Sequence, residues 1–99
     1  MSSSMTIIHA PRIHLNGTGK AQLIGAYETA LDAVDAAFKA LRDTAPNGRD
    51  YYTDAGSMTH AEKEHRDRLL ACDNLKSQLD AIIGAIDTNE VIATVRINE

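Results

Sequence analysis

Two long runs of helical periodicity dominate this sequence. Within residues 18–45 and again within residues 59–87, apolar side chains recur at steps of three and four. The first run comprises Leu23, Tyr27, Leu31, Val34, Phe38 and Leu41, and the second includes Leu75, Leu79, Ile82 and Ile86. Because such steps place side chains on one face of an α-helix, each run predicts one amphipathic helix. The pair, joined by a loop at residues 46–58, predicts an antiparallel hairpin of two long helices.

Local signals predict where these helices begin and end. Thr18 is an N-cap residue type, and it is expected to start the first helix. Pro46 with Gly48 stops that helix. Thr59-His60-Ala61-Glu62 has the pattern of a capping box, so it is expected to start the second helix. Gly25 and Gly84 lie inside the helices, where each costs about 1 kcal/mol relative to alanine. We therefore expect the two helices to approach closely there.

The ends of the chain have a different character. Residues 1–5 are expected to be disordered, residues 6–17 read as an extended segment and a turn, and residues 90–97 read as a strand-like tail rich in β-branched side chains. The two strand-like ends are expected to pair, within one chain or between two. Residues 1–99 then form one domain.

A shortage of aromatic residues predicts self-association. The chain has one Phe, three Tyr and no Trp, so little area is available for a core. Two helices alone also leave half of each apolar stripe in water. The expected fold class is therefore mainly α, with two hairpins dimerising into a four-helix bundle.

Charge and cysteine content exclude several function classes. The formal net charge is −4, which argues against binding nucleic acid polymers or anionic membranes. The one cysteine, Cys72, cannot form a disulfide within the chain. The N-terminus has no signal-peptide pattern, and no apolar stretch approaches the length of a membrane span, so a cytoplasmic protein is expected.

The first candidate site is the turn that precedes the first helix. Asn16, Thr18 and Lys20 occupy an Asn-Gly-Thr-Gly-Lys sequence, with His14 just before it. Free backbone N–H groups at a helix start attract anions, and the Lys20 side chain adds positive charge. The alternative is a plain turn followed by a threonine cap.

The second candidate site is the loop between the helices. It contains Asn47, Arg49, Asp50, Tyr51 and Tyr52 within the sequence PNGRDYY. An arginine can bind a phosphate or carboxylate through two hydrogen bonds, and a tyrosine ring can stack on a base or fill a partner's pocket. In the alternative, Arg49 pairs with Asp50 and the tyrosines pack on the end of the helices.

Neither metal binding nor catalysis is predicted. His60 and Glu64 share a helical face, but a metal site needs three or more ligands. His65 lies on the apolar stripe, where a buried polar layer is expected. No set of nucleophile, base and orienting residue is legible. The expectation is a non-enzymatic protein without catalytic residues, metal or cofactor.

The motifs IHLNGT at residues 13–18 and PNGRDYY at residues 46–52 resemble a group of small phage and prophage proteins. The resemblance covers residues 13–87. It implies a helical hairpin and a phage context, in which the host cytoplasm would be the compartment, and it implies no activity.

Together these features predict a homo-oligomeric binder of a small anionic ligand, with a nucleotide as first candidate. The two candidate sites lie at opposite ends of a helix of about 39 Å, so one chain cannot place both on one ligand. An antiparallel dimer can bring residues 16–20 of one copy to residues 49–52 of the other. The alternative is a protein-interaction module that inhibits or regulates a host or phage protein through residues 46–58.

Overall fold

The computed structural model describes residues 3–99, without the side chain of Ala55. The described chain contains five elements: β1 (Ser3–His9), α1 (Lys20–Arg42), α2 (Gly48–Tyr51), α3 (Ala55–Asp87) and β2 (Ile92–Asn98). The molecule is elongated, with dimensions of 62 × 26 × 15 Å. None of the helices in the described part of the chain is both long enough and apolar enough to cross a membrane.

The predicted fold class, an antiparallel hairpin of two long helices, is wrong. The chain is helix-rich, but it combines three helices of 23, 4 and 33 residues with a two-stranded antiparallel sheet. The long helix α3 packs against α1 and also against β2. Since α3 is covered by a sheet as well as by a helix, the four-helix bundle built on the hairpin is not retained either.

The helices begin and end at other residues than predicted, and local signals explain part of the difference. Asp54 caps α3 and starts it before Thr59, the position that the capping-box pattern favoured. The α1 helix begins at Lys20 with Gly19 at its N-cap position, and Thr18 does not cap it. It ends at Arg42, before Ala45. Part of the loop predicted at residues 46–58 is helical, because it contains α2 and the first turn of α3.

The two ends of the chain form the sheet. β1 pairs with β2 in antiparallel register from Ser3 opposite Asn98 to His9 opposite Ile92. Residues 3–5 therefore belong to a strand, contrary to the prediction of disorder, and residues 1 and 2 lie outside the described residues. The pairing joins the two ends of one chain. The sheet packs against α3, mainly through β2.

The core is small and lies where β2 covers the second half of α3. Its buried apolar residues are Ala85, Ile86 and Val95. Side chains alternate along β2, so that Ala93, Val95 and Ile97 are more buried than their neighbours. His65 is also buried, near the other end of α3. Ile86, which has 0% exposure, is the most deeply buried of these residues.

Acid is expected to weaken the start of α3. The Ser57 hydroxyl donates to Asp54 Oδ2 at 2.8 Å and the Ser57 N–H donates to Asp54 Oδ1 at 3.2 Å, and these bonds lower the pKa of Asp54 below its usual 3.8. A carboxylate whose pKa is lower in the folded state stabilises the fold above its ordinary pKa, and this contribution is lost as the pH falls through the folded value. The Asp54→Ala variant should melt below the wild type at pH 6, and the difference should shrink below about pH 4.

The matched control is Asp80→Ala, because Asp80 is an exposed carboxylate on the same helix without a hydrogen bond to the described residues. Thermal melts of the three proteins between pH 2 and pH 6 make the comparison. An Asp54→Ala deficit that stays constant across this range would contradict the capping role.

Candidate functional site

The sequence NGRDY folds into a closed helical turn at the tip of the molecule. Asn47 is the N-cap of α2, and its Oδ1 accepts a hydrogen bond from the Asp50 N–H at 3.2 Å. Its Nδ2 donates in return to Asp50 Oδ2 at 3.0 Å. This reciprocal pair satisfies groups that a helix start otherwise leaves free. Asn47 and Asp50 therefore hold the backbone that carries Arg49, Tyr51 and Tyr52.

Arg49 is exposed on this turn, and no carboxylate of the described residues forms an ion pair with it. The Asp50 carboxylate, its expected partner, is bound to Asn47 instead. Within residues 3–99 no ion pair or side-chain hydrogen bond engages the Arg49 guanidinium. A guanidinium carries five N–H donors in a planar fork. The alternative in which Arg49 and Asp50 form a local pair does not describe this turn.

The two tyrosines of the tip differ in exposure. Tyr51 is half-buried, whereas Tyr52 is 83% exposed. Half-burial suits a ring that anchors α2, which contacts α3. An exposed tyrosine places a large apolar ring with a polar end in solvent beside the Arg49 residue. The tip therefore offers a positive charge and a stacking surface on adjacent parts of the chain.

The turn before α1 is organised differently from the prediction. Lys20 Nζ donates to the carbonyl oxygen of Asp87 at 2.8 Å and lies 3.6 Å from Asp87 Oδ1. A cation at this position satisfies the end of α3, where carbonyl groups lack helical partners. Lys20 therefore has a structural role, because its contacts with Asp87 link the start of α1 to the end of α3.

The remaining predicted residues of this turn are exposed. His14, Asn16 and Thr18 lie in the connection between β1 and α1. The Gly17 N–H donates to the His14 carbonyl oxygen at 3.1 Å, and a Cβ atom on Gly17 would lie 2.6 Å from His14 Nε2. A larger residue at position 17 would therefore push the imidazole away from the turn.

The two candidate sites do not meet within one chain. The 23 residues of α1 separate them by about 35 Å, since a helix rises 1.5 Å per residue. Lys20 lies beside the end of α3, and Arg49 lies beyond the opposite end of α1. A ligand held by both would need a second copy of the chain.

A groove runs between α1 and α3, away from both sites. It has a volume of about 390 Å³ and is lined by Asp32, Asp35, Asp73 and Asp80 around Lys76. Lys76 Nζ lies 2.8 Å from Asp35 Oδ1, and this hydrogen bond lowers the pKa of Asp35 and raises that of Lys76. Lys76 also lies 5.1 Å from the centre of the Phe38 ring. Lys39 Nζ lies 3.0 Å from Asp35 Oδ2, so four carboxylates face two ammonium groups that are both paired with Asp35, and the groove keeps a net negative charge that repels anions.

Histidine, cysteine and carboxylate side chains form no group of three or more that could hold a metal ion in the described part of the chain. Cys72 is a free, half-buried thiol on α3. No protein-family model matches the chain, and neither a curated protein nor a solved structure matches it significantly.

Proposed function

We propose that this chain is a non-enzymatic, homo-oligomeric protein that binds a small anionic ligand, with a nucleotide as first candidate. The observation that carries the proposal is the tip, where the unpaired Arg49 guanidinium and the exposed Tyr52 ring project from one closed turn. Arginine binds phosphate through paired, charge-assisted hydrogen bonds. An aromatic ring adds a stacking surface for a flat base.

The electrostatics of the rest of the molecule favour the tip over the groove. The groove between α1 and α3 is lined by four carboxylates, and its one lysine is already paired with Asp35. An anion entering it would lose hydration and meet like charge. At the tip, the Asp50 carboxylate keeps its negative charge, but it is hydrogen-bonded to Asn47 and not to Arg49, so the N–H donors of the Arg49 guanidinium stay free for a ligand.

The turn before α1 would complete the site from a second copy. His14, Asn16 and Thr18 are exposed and would contribute hydrogen bonds, and Lys20, which binds Asp87, would add positive charge nearby. The resemblance to small phage proteins suggests a use for such binding, namely the sequestration of a host defence signal, by analogy.

A protein-interaction module is the second candidate function. The exposed Tyr52 ring favours it too, because tyrosine and arginine are enriched among the residues that dominate protein interfaces. In that case the 46–58 segment would dock onto a host or phage protein as an inhibitor or regulator. The two candidates differ in whether a small molecule alone changes the stability of the protein.

A thermal-shift series separates these functions. AMP, ADP and cyclic AMP are each added in excess to the wild type and to Arg49→Ala, Tyr52→Ala and Arg68→Ala variants. A ligand that binds the native state raises the melting temperature. Loss of charge-assisted hydrogen bonds worth about 1.5–3 kcal/mol should weaken binding by about ten- to a hundredfold in Arg49→Ala. Tyr52→Ala should weaken it less.

Arg68→Ala is the matched control, because Arg68 is an exposed arginine in the middle of α3. It should keep the full ligand-induced shift. If none of the nucleotides raises the melting temperature, nucleotide binding fails, and a pull-down with Arg49→Ala and Tyr52→Ala as negative baits then tests the protein-interaction module. A shift that Arg49→Ala retains in full would place the ligand away from the tip.

A further inference from the structure

We propose that the free edge of β1 pairs with β1 of a second copy, antiparallel about Thr6, to form a four-stranded sheet β2-β1-β1-β2. Among the described elements β1 contacts only β2 and α3, so one of its two edges has no neighbour. An isolated pair of strands is marginally stable in water, and a third strand strengthens it.

The hydrogen-bond pattern shows which backbone groups are free. The Ala10 N–H donates to the Val91 carbonyl oxygen at 2.9 Å, one step beyond the pair His9 and Ile92. Opposite residues of antiparallel strands alternate between bonded and non-bonded pairs. Ser4, Thr6 and Ile8 therefore direct their backbone groups toward β2. The N–H and C=O groups of Ser3, Met5, Ile7 and His9 point away from it.

The outer edge of β2 is guarded, unlike that of β1. The Asn74 side chain on α3 donates to the Asn98 carbonyl oxygen at 2.7 Å and accepts from the Asn98 N–H at 2.9 Å. Exposed strand edges are commonly protected by charged residues or proline. The β1 sequence SSMTIIH has no proline, lysine, arginine or carboxylate. The unprotected edge is therefore that of β1.

The side chains of β1 favour β1 of a second copy as the strand that pairs with its free edge. Pairing about a two-fold axis through Thr6 sets Met5 opposite Ile7 of the other copy, and Thr6 opposite itself. Met5 and Ile7 are each 60% exposed, and they share the outer face of the sheet. In this register the outward backbone groups of Met5 and Ile7 form a bonded pair, and their apolar side chains meet across the strands. The symmetry makes one strand complementary to itself.

This interface is separate from the proposed ligand site. It lies beside the second half of α3, whereas α2 at the tip lies between the end of α1 and the start of α3 and contacts α3. Two chains paired through β1 run in opposite directions, so their tips point away from each other. This dimer does not bring residues 14–20 of one copy to the tip of the other, so completion of the ligand site needs a different contact between copies. Loss of β1 pairing should therefore leave ligand binding by Arg49 intact, and Arg49→Ala should leave the β1-paired dimer intact.

Charge substitutions test the register directly. In Met5→Glu/Ile7→Glu, glutamates face each other across the interface, and the variant should be a monomer. In Met5→Glu/Ile7→Lys, each glutamate faces a lysine of the other copy, and the dimer should return. Sedimentation velocity of the wild type and both variants, at protein concentrations up to several hundred micromolar, measures this. A monomeric wild type, or a dimer that survives in the double-glutamate variant, would overturn the proposal.

Amide hydrogen exchange supplies a readout without mutation. In a β1-paired dimer the N–H groups of Met5 and Ile7 should exchange as slowly as those of Thr6 and Ile8. In a monomer only Thr6 and Ile8 should be protected, because their N–H groups are bonded within the chain. Circular dichroism of both variants checks that helix content is unchanged, which is expected since both substituted side chains lie on the exposed face.

Discussion

Replacing Ile86 with alanine is expected to remove about 2–5 kcal/mol of folding stability, the usual cost of deleting a large buried aliphatic side chain. The Ile86 side chain has 0% exposure, and it lies in the small core between α3 and β2 together with Ala85 and Val95. A domain of this size has about 5–15 kcal/mol of stability in total. The loss is therefore a large fraction of the total folding stability. Urea unfolding at fixed protein concentration measures it.

Leu75→Ala is the matched control for Ile86→Ala. Leu75 lies on the same helix but is 44% exposed, so its truncation removes less buried area and should cost clearly less. Ile86→Val, which deletes one methylene, should cost about 0.5–1.5 kcal/mol. If Ile86→Ala costs no more than Leu75→Ala, then β2 does not cover α3 in the way described.

The double variant Gly25→Ala/Gly84→Ala is expected to stabilise the protein by about 1–2 kcal/mol, because glycine inside a helix is disfavoured by 0.8–1 kcal/mol relative to alanine. The sequence suggested that these glycines permit close approach of the helices, and that explanation is wrong for the chain on its own. A Cβ atom at either position would meet nothing within 4 Å. For a domain of this size the melting temperature should rise by about 4–8 °C per kcal/mol.

Gly17→Ala is the contrasting control. A Cβ atom there would approach His14 Nε2 to 2.6 Å, so the imidazole or the turn must move, and the melting temperature should not rise. Should Gly25→Ala/Gly84→Ala instead destabilise the protein, a surface packed against these two positions in a second copy would be the direct explanation, and concentration-dependent melting would reveal it.

Helical periodicity located α1 and α3 because it is a local property of the sequence. The end points depended on choices between similar signals. Both Asp54 and Thr59 are N-cap residue types, and Asp54 prevails with bonds to both the hydroxyl and the N–H of Ser57. The fold class failed for another reason. The sequence predicts that the two strand-like ends pair, but it does not predict that β2 covers α3 and supplies Val95 to its core.

In the candidate sites, too, contacts between sequence neighbours were easier to predict than contacts between distant residues. The tip is built from neighbours in sequence, and the residue types of NGRDYY place an arginine and tyrosines on it. Which side chain Asp50 would bind was open, and Asn47 rather than Arg49 is its partner. The role of Lys20 could not be read from the sequence, because its partner Asp87 lies 67 residues away and depends on how α1 and α3 align.

Titration of the ¹⁵N-labelled protein with AMP, ADP and cyclic AMP, followed residue by residue in NMR spectra, tests the central claim most directly. Chemical-shift changes are expected to concentrate on residues 47–52, with further changes at residues 14–20 where a second copy completes the site. The Arg49→Ala substitution should weaken binding about ten- to a hundredfold. Changes confined to the groove around Lys76, or no change at millimolar nucleotide, would contradict the central claim.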